Sequence, residues 1–233
     1  MPLSAQPGTL SCIINRILII FFQLLYNQFA WTYDWVANMV SIGRWKSWVL
    51  TVEPLIRESK TLEIGCGPGH LQLDASLNND NIFGLDTSRQ MLQLARRRLM
   101  RNNCEGNLVL GKAQNLPYRA GSFQKIVMTF PSEFVYDPQT AEQIWRVLGE
   151  DGELILLPAA WITGVSKLDR LAAWLFRITN QAPNLDHNSI EKNLICSFQG
   201  LEEVGFTLQS RLIELQGSDI LLIHGTKETI SDP

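Results

Sequence analysis

From about residue 10 to residue 50 apolar positions recur at helical spacing, and beyond residue 60 the pattern changes to short apolar runs separated by amphipathic stretches. Such alternation is what a mostly parallel sheet covered by helices requires. Residues 61–64 read as a first strand and 69–77 as the helix after it. Residues 81–85 form a second strand, and 88–101 a helix with Met91, Leu92, Ala95 and Leu99 on one stripe. Residues 107–110 and 125–130 are the third and fourth strands. A helix over 140–148 and the turn Gly149-Glu150-Asp151-Gly152 lead into a fifth strand, 153–157.

Residues 159–193 depart from the alternation. The stretch 166–178 is amphipathic and rich in Leu, Trp and Phe, an insertion placed where open α/β sheets bind ligands. After a helix near 189–204, strands 207–215 and 219–225 are joined by Gln216-Gly217-Ser218, too short a link for anything but an antiparallel hairpin. The expected architecture is a Rossmann-like α/β fold. It has a seven-stranded, mostly parallel sheet, a C-terminal antiparallel hairpin, helices on both faces and an N-terminal helical cap. One domain over 1–233 is expected, with a cap (1–55), a cofactor-binding core (56–158), an insertion and helix over the site (159–200) and the terminal hairpin (201–233).

The N-terminal stretch 12–26 is strongly apolar, yet its uninterrupted run, Ile17 to Phe22, is bounded by Asn15, Arg16 and Gln23. A span needs roughly 20 apolar residues, and no small-residue cleavage site follows. Two readings stay open: a helix packed on the domain, or one that also rests on a membrane surface. With 20 Lys+Arg against 23 Asp+Glu the formal charge is −3, and the basic residues are scattered apart from Arg96, Arg97 and Arg98, which read as an exposed helix face. No concentrated positive surface for a nucleic acid is expected. Cys12, Cys66, Cys104 and Cys196 show no ligand spacing, and the three histidines build no pair. Reduced thiols, no metal and a cytoplasmic location are the expectation.

Candidate chemistry enters with Glu63-Ile64-Gly65-Cys66-Gly67-Pro68-Gly69-His70, between the first strand and its helix. Glycines there permit a tight turn and close approach of backbone to a ligand. The spacing is G-x-G-x-G, and His70 stands where a dinucleotide fingerprint has its third glycine beside a pyrophosphate. Asp86 ends the second strand 21 positions after Gly65, placed to accept from two ribose hydroxyls. Together they indicate an adenosine ligand without a pyrophosphate.

The segments LEIGCGPGHL (62–71), GLDTSRQML (84–92), GKAQNLPYRAGSFQKIVMTF (111–130) and IWRVLGEDGELIL (144–156) make the chain resemble the class I S-adenosylmethionine-dependent methyltransferases. The likeness is to the group that includes ubiquinone/menaquinone-biosynthesis enzymes. It implies S-adenosylmethionine as cofactor, with Gly65, Cys66, Gly67 and Gly69 lining its methionine half, Glu63 supporting the loop and Asp86 holding the ribose. It further implies that Thr87 and Met91 flank the adenine, that Ala113 and Gln114 close over it, and that Thr129 lies at the site. Related enzymes often have a Tyr-Asp pair in the N-terminal helices, so Tyr33 reaches the methionine end or only packs. Lys112 and Gln124 stand where many members have aspartate, and a lysine accepts no hydrogen bond.

Each residue has a plainer reading as well: Asp86 as a helix cap, Cys66 as a small loop filler, Met91 as core. Trp31, Trp35, Trp45, Trp48, Trp161 and Trp174 gather in the two segments outside the sheet. That favours a small apolar or amphipathic acceptor, entering between the N-terminal helices and the insertion. Glu133, Tyr136 and Asp137 are base candidates if the acceptor must lose a proton, and no catalytic residue is assigned. The rival expectation is a non-catalytic adenosine-binding or membrane-associated scaffold.

Overall fold

The computed structural model describes residues 41, 43–164, 197–215 and 217–227. The N-terminal helices expected before residue 41, with Tyr33, and the helix expected over 166–178 lie outside the described residues. Strands β1 (Thr61–Ile64), β2 (Ile82–Asp86), β3 (Asn107–Leu110), β4 (Phe123–Thr129) and β5 (Leu148–Ile162) are followed by β6 (Phe206–Leu215) and β7 (Ser218–Lys227). They form one sheet in the order β3-β2-β1-β4-β5-β7-β6. β1 to β5 run parallel, and β7 inserts antiparallel between β5 and β6. This is the parallel sheet closed by a hairpin that the alternation predicts. The order reverses between β1 and β4, and ligands of open α/β sheets bind at the carboxyl ends of the strands beside such a reversal.

Helices α1 (Trp45–Val49), α2 (Glu53–Ile56), α3 (His70–Leu77), α4 (Arg89–Arg101), α5 (Pro138–Val147) and α6 (Gln199–Glu203) accompany the strands. Side chains alternate across a pleated strand, so the central strands feed two cores. Ile126, Met128, Leu154 and Leu156 meet Ala141, Ile144 and Val147 of α5. On the other face Val127, Ile155 and Leu157 meet Trp48, Val52, Ile56, Leu71 and Ala75. On α4 the expected stripe Met91, Leu92, Ala95 and Leu99 is buried.

β1 and β3 have the expected bounds, β2, β6 and β7 differ by one or two residues, and β4 and β5 differ in ways that matter. β4 begins at Phe123, which pairs with Leu148 and packs edge-on against Phe83 and Tyr118. It stops before Phe130, whose φ of 49° turns the chain out of the sheet. β5 is far longer than 153–157. The expected turn at 149–152 is an irregularity within the strand, for Phe123 faces Leu148 while Lys125 faces Glu153. Past Leu157, where β4 ends, β5 continues on β7 alone, with Ala159 to Ile162 facing Leu221 to Ser218. The register shifts between Leu156 and Ala159, where Pro158 has no N–H to donate. Trp161, expected in the insertion, is therefore a strand residue packed against the first core. Of the helix expected near 189–204, the described part is α6.

Candidate functional site

The loop after β1 takes a left-handed backbone at three glycines, with φ of 79° at Gly65, 50° at Gly67 and 77° at Gly69. Side chains other than glycine's resist that region. Its N–H groups all bond inside the protein. Those of Gly65 and Cys66 donate to the Leu85 carbonyl at 2.7 and 3.1 Å, that of Gly69 to the Cys66 carbonyl at 3.0 Å, and that of Gly67 to Asp86 Oδ2 at 2.8 Å. Pro68 has none to give. A phosphate cradle needs backbone N–H groups free to point at the anion, and this loop keeps none for a pyrophosphate.

The three glycines serve different ends. A Cβ on Gly67 would meet nothing within 4 Å, so this residue faces open space. On Gly65 it would lie 3.6 Å from the Phe134 ring. On Gly69 it would lie 2.7 Å from Ala95 Cβ, because α3 and α4 pack through that point.

Asp86 ends β2 beside the loop, half-buried. Its Oδ2 takes the Gly67 N–H, and its Oδ1 takes the Ser88 N–H at 2.7 Å. The cap of α4 is Ser88, whose Oγ accepts from the Met91 N–H at 3.3 Å, so Asp86 is not the N-cap residue of the helix it precedes. Burial raises the Asp86 carboxyl above its ordinary range, while the N–H groups of Ser88, Gly67 and Thr87 pull it back. Each carboxylate oxygen accepts more than one hydrogen bond, so both retain capacity for a further donor.

Glu63, 1% exposed, lies just before the loop on β1. Its Oε2 accepts from Gln72 Nε2 at 2.8 Å, and Gln72 is wholly buried on α3. Gly84 faces Glu63 across the ladder. A Cβ there would sit 3.0 Å from both Cys66 Sγ and Gln72 Cδ. Burial, reinforced by Asp86 and opposed by the Gln72 hydrogen bond, lifts the Glu63 carboxyl to about 8, which leaves it protonated at neutral pH. Burial, then Glu63 and Asp86, also push the Cys66 thiol up, so Cys66 is a buried thiol and not a thiolate nucleophile.

The remaining residues expected at the site are scattered in character. Thr87 is exposed, while Met91 has no accessible surface and Ala113 has 4%, which puts both in the core. Gln114 donates to Asp137 Oδ2 at 3.1 Å. Lys112 is exposed and bridges to Asn115, and Gln124 Oε1 accepts from the Lys60 N–H at 2.7 Å. Thr129 is the half-buried last residue of β4. Among the three base candidates, Asp137 caps α5 by accepting from the Gln139 N–H at 3.0 Å. Burial pushes the Tyr136 phenol up, and Glu133 is exposed. Phe130 leaves β4 into an aromatic group, 4.5 Å from Trp45 and 6.3 Å from Trp48 between ring centroids. Trp48 belongs to the core and Trp45 is only partly covered.

Reading the sequence missed Gln72, Gly84, Phe134 and Arg98. The signal for Gln72 was a polar residue beside Leu71 on the buried side of a short helix. The arginine run is an exposed face only in part: Arg96 and Arg97 are exposed, but Arg98 is half-buried and donates through a guanidinium nitrogen to the Pro68 carbonyl.

Residues 61–152 match a family model described as a methyltransferase domain. The chain is 30% identical over 145 residues to the demethylmenaquinone methyltransferase of Symbiobacterium thermophilum, covering 58% of each. It is also 30% identical over 148 residues to the ubiquinone/menaquinone biosynthesis C-methyltransferase of Campylobacter jejuni, covering 57% of this chain and 61% of that one. The matches span less than two thirds of these relatives' lengths. A Methanococcus maripaludis structure, provisionally described as an S-adenosyl-L-methionine-dependent methyltransferase, shares the fold with a TM-score of 0.58 and 16% identity, over 98% of this chain and 100% of that one.

Proposed function

We infer that this chain, whose residues 61–152 form a methyltransferase domain on the class I S-adenosylmethionine-dependent methyltransferase fold, methylates a small lipophilic acceptor with S-adenosylmethionine as donor. The observation that carries this is the loop and its neighbour. The glycine loop spends its own N–H groups within the protein, while Asp86 beside it keeps acceptor capacity for ribose hydroxyls.

In this reading Asp86 takes the ribose, and Gly65 and Gly67 admit the methionine half by having no side chains. Glu63, with Gln72, props the loop from below. Thr87 and Gln114 are the accessible residues beside the adenine, Thr129 bounds the sulfur end, and Tyr33, outside the described residues, is proposed to reach the methionine end. S-adenosylmethionine supplies a methyl group on a sulfonium, which departs as a neutral thioether. The chain's task is therefore to align the acceptor with that methyl group and exclude water. Phe130 and Trp45, packed on each other where β4 ends, supply apolar surface for such an acceptor. The curated relatives carry quinones in their names, and a quinol ring is the acceptor class we propose. Carbon methylation of a quinol needs loss of a proton. Asp137 caps α5 and burial pushes the Tyr136 phenol up, which leaves the exposed Glu133 as the base we propose.

The chain is proposed to act as one domain, cytoplasmic, with residues 12–26 resting on a membrane surface from which such an acceptor is drawn. Among the described residues no helix is long and apolar enough to cross a membrane. Incubation with radiolabelled S-adenosylmethionine and a series of naphthoquinols and benzoquinols tests the proposal. Label is expected in the extracted quinol. Binding of the cofactor with no transfer to any acceptor would favour the scaffold reading instead.

A further inference from the structure

Arg98 is two and a half turns into α4, far along the chain from the glycine loop, yet its guanidinium reaches the Pro68 carbonyl. Pro68 lies between two left-handed glycines. Neither can hold its own conformation, because glycine gains nothing from any one region of φ and ψ. The conformation must be imposed from outside, and three contacts do so. Asp86 takes the N–H of Gly67 at 2.8 Å. Ala95, one turn before Arg98, packs beneath Gly69 so closely that a Cβ there would lie 2.7 Å from its own. Arg98 takes the carbonyl between them. The loop is therefore pinned on its N–H side by β2 and on its carbonyl side by α4, while Gly67 faces open space.

We propose that Arg98 is a positioning residue for the cofactor: through the Pro68 carbonyl it holds the loop from Gly65 to Gly69 in the shape that receives the methionine half, without touching the ligand itself. The inference rests on the S-adenosylmethionine reading, but its core claim concerns the shape of the loop itself and is testable apart from it. A positive charge near the site could instead act through its field. The two roles differ in sign. A field effect makes Arg98 repel the sulfonium of S-adenosylmethionine, so its loss would tighten that ligand relative to the uncharged thioether S-adenosylhomocysteine. A positioning effect weakens both alike. A charged donor's bond supports about a ten-fold loss for each ligand.

The test uses the full chain with Arg98→Met and Arg98→Lys. Hydrogen exchange of the ligand-free proteins is read at the Gly67 and Gly69 amides and in β1 and β4. Titration with S-adenosylmethionine and S-adenosylhomocysteine follows. Expected for Arg98→Met are faster exchange confined to the loop and about ten-fold weaker binding of both ligands, partly restored in Arg98→Lys, which keeps one charged donor. Unchanged loop exchange, acceleration throughout the sheet, or tighter S-adenosylmethionine with unchanged S-adenosylhomocysteine would each overturn the proposal. If wild-type protein binds neither ligand, the function reading fails, and loop exchange still decides whether Arg98 pins the loop.

Discussion

A substitution at Gly67 and one at Gly69 look alike in the sequence and differ in the structure. Both residues are left-handed, so alanine costs about 1–2 kcal/mol of backbone strain at either. At Gly69 the new methyl group also collides with Ala95, 2.7 Å away, whereas at Gly67 it enters open space. Gly69→Ala is expected to lose roughly 1–3 kcal/mol more stability than Gly67→Ala, and Gly67→Ala to lose more cofactor affinity. Chemical denaturation and calorimetry on the pair measure the two effects, and equal stabilities would contradict the packing role of Gly69. Asp86 has a comparable double duty. Asp86→Asn keeps the shape but turns an NH2 group toward either the Gly67 or the Ser88 N–H, now bonded at 2.8 and 2.7 Å. Loss of one charged acceptor contact should cost about 1.5–3 kcal/mol, seen as weaker cofactor binding. Wild-type affinity in the Asp86→Asn protein would remove Asp86 from the site.

At the scale of elements, α4 shows what was legible and what was not. Its stripe Met91, Leu92, Ala95 and Leu99 follows from period 3.6 alone, and Ser88 stands where a cap belongs. Ser88→Ala is expected to lower stability by about 1 kcal/mol, checked by the urea midpoint; an unchanged midpoint would show that Asp86 suffices to start the helix. The other face of α4 was not legible. Arg98 bonds a carbonyl 30 positions earlier in the chain, and an arginine run looks the same whether it faces water or a loop. Glu63 came only from the family resemblance, whereas the glycines and Asp86 were visible because a tight turn and a strand tip are local facts. Gln72 and Gly84 were not, since their roles come from meeting across β1, β2 and α3. The length of β5 was hidden for the same reason: Ala159 to Ile162 are strand only because β7 lies beside them.

The molecule as a whole carries a pH signature from its buried acid. The Glu63 carboxyl titrates from an ordinary 4.5 in the unfolded chain and at about 8 in the folded one. Below 4.5 both states hold the proton. Between 4.5 and about 8 the folded protein retains a proton that the unfolded chain releases, so stability falls as pH rises through that window and levels above it. Asp86, also raised by burial, adds to the fall with the same sign. Denaturant midpoints from pH 4 to 9 should decline accordingly, and Glu63→Gln should flatten the slope. A stability that rises through this range in wild-type protein and is unaltered in the variant would mean that Glu63 is ionised in its pocket.

What unites the scales is the carboxyl end of the sheet where strand order reverses between β1 and β4. There the loop and Asp86 meet, with the loop's own N–H groups committed inside the protein. The central claim is that this place holds S-adenosylmethionine. Isothermal titration of the full chain with S-adenosylmethionine, S-adenosylhomocysteine and NAD, side by side in one buffer, tests it most directly. Saturable binding of the first two and no heat from NAD is the predicted result, and NAD binding with no response to either S-adenosyl compound would contradict it.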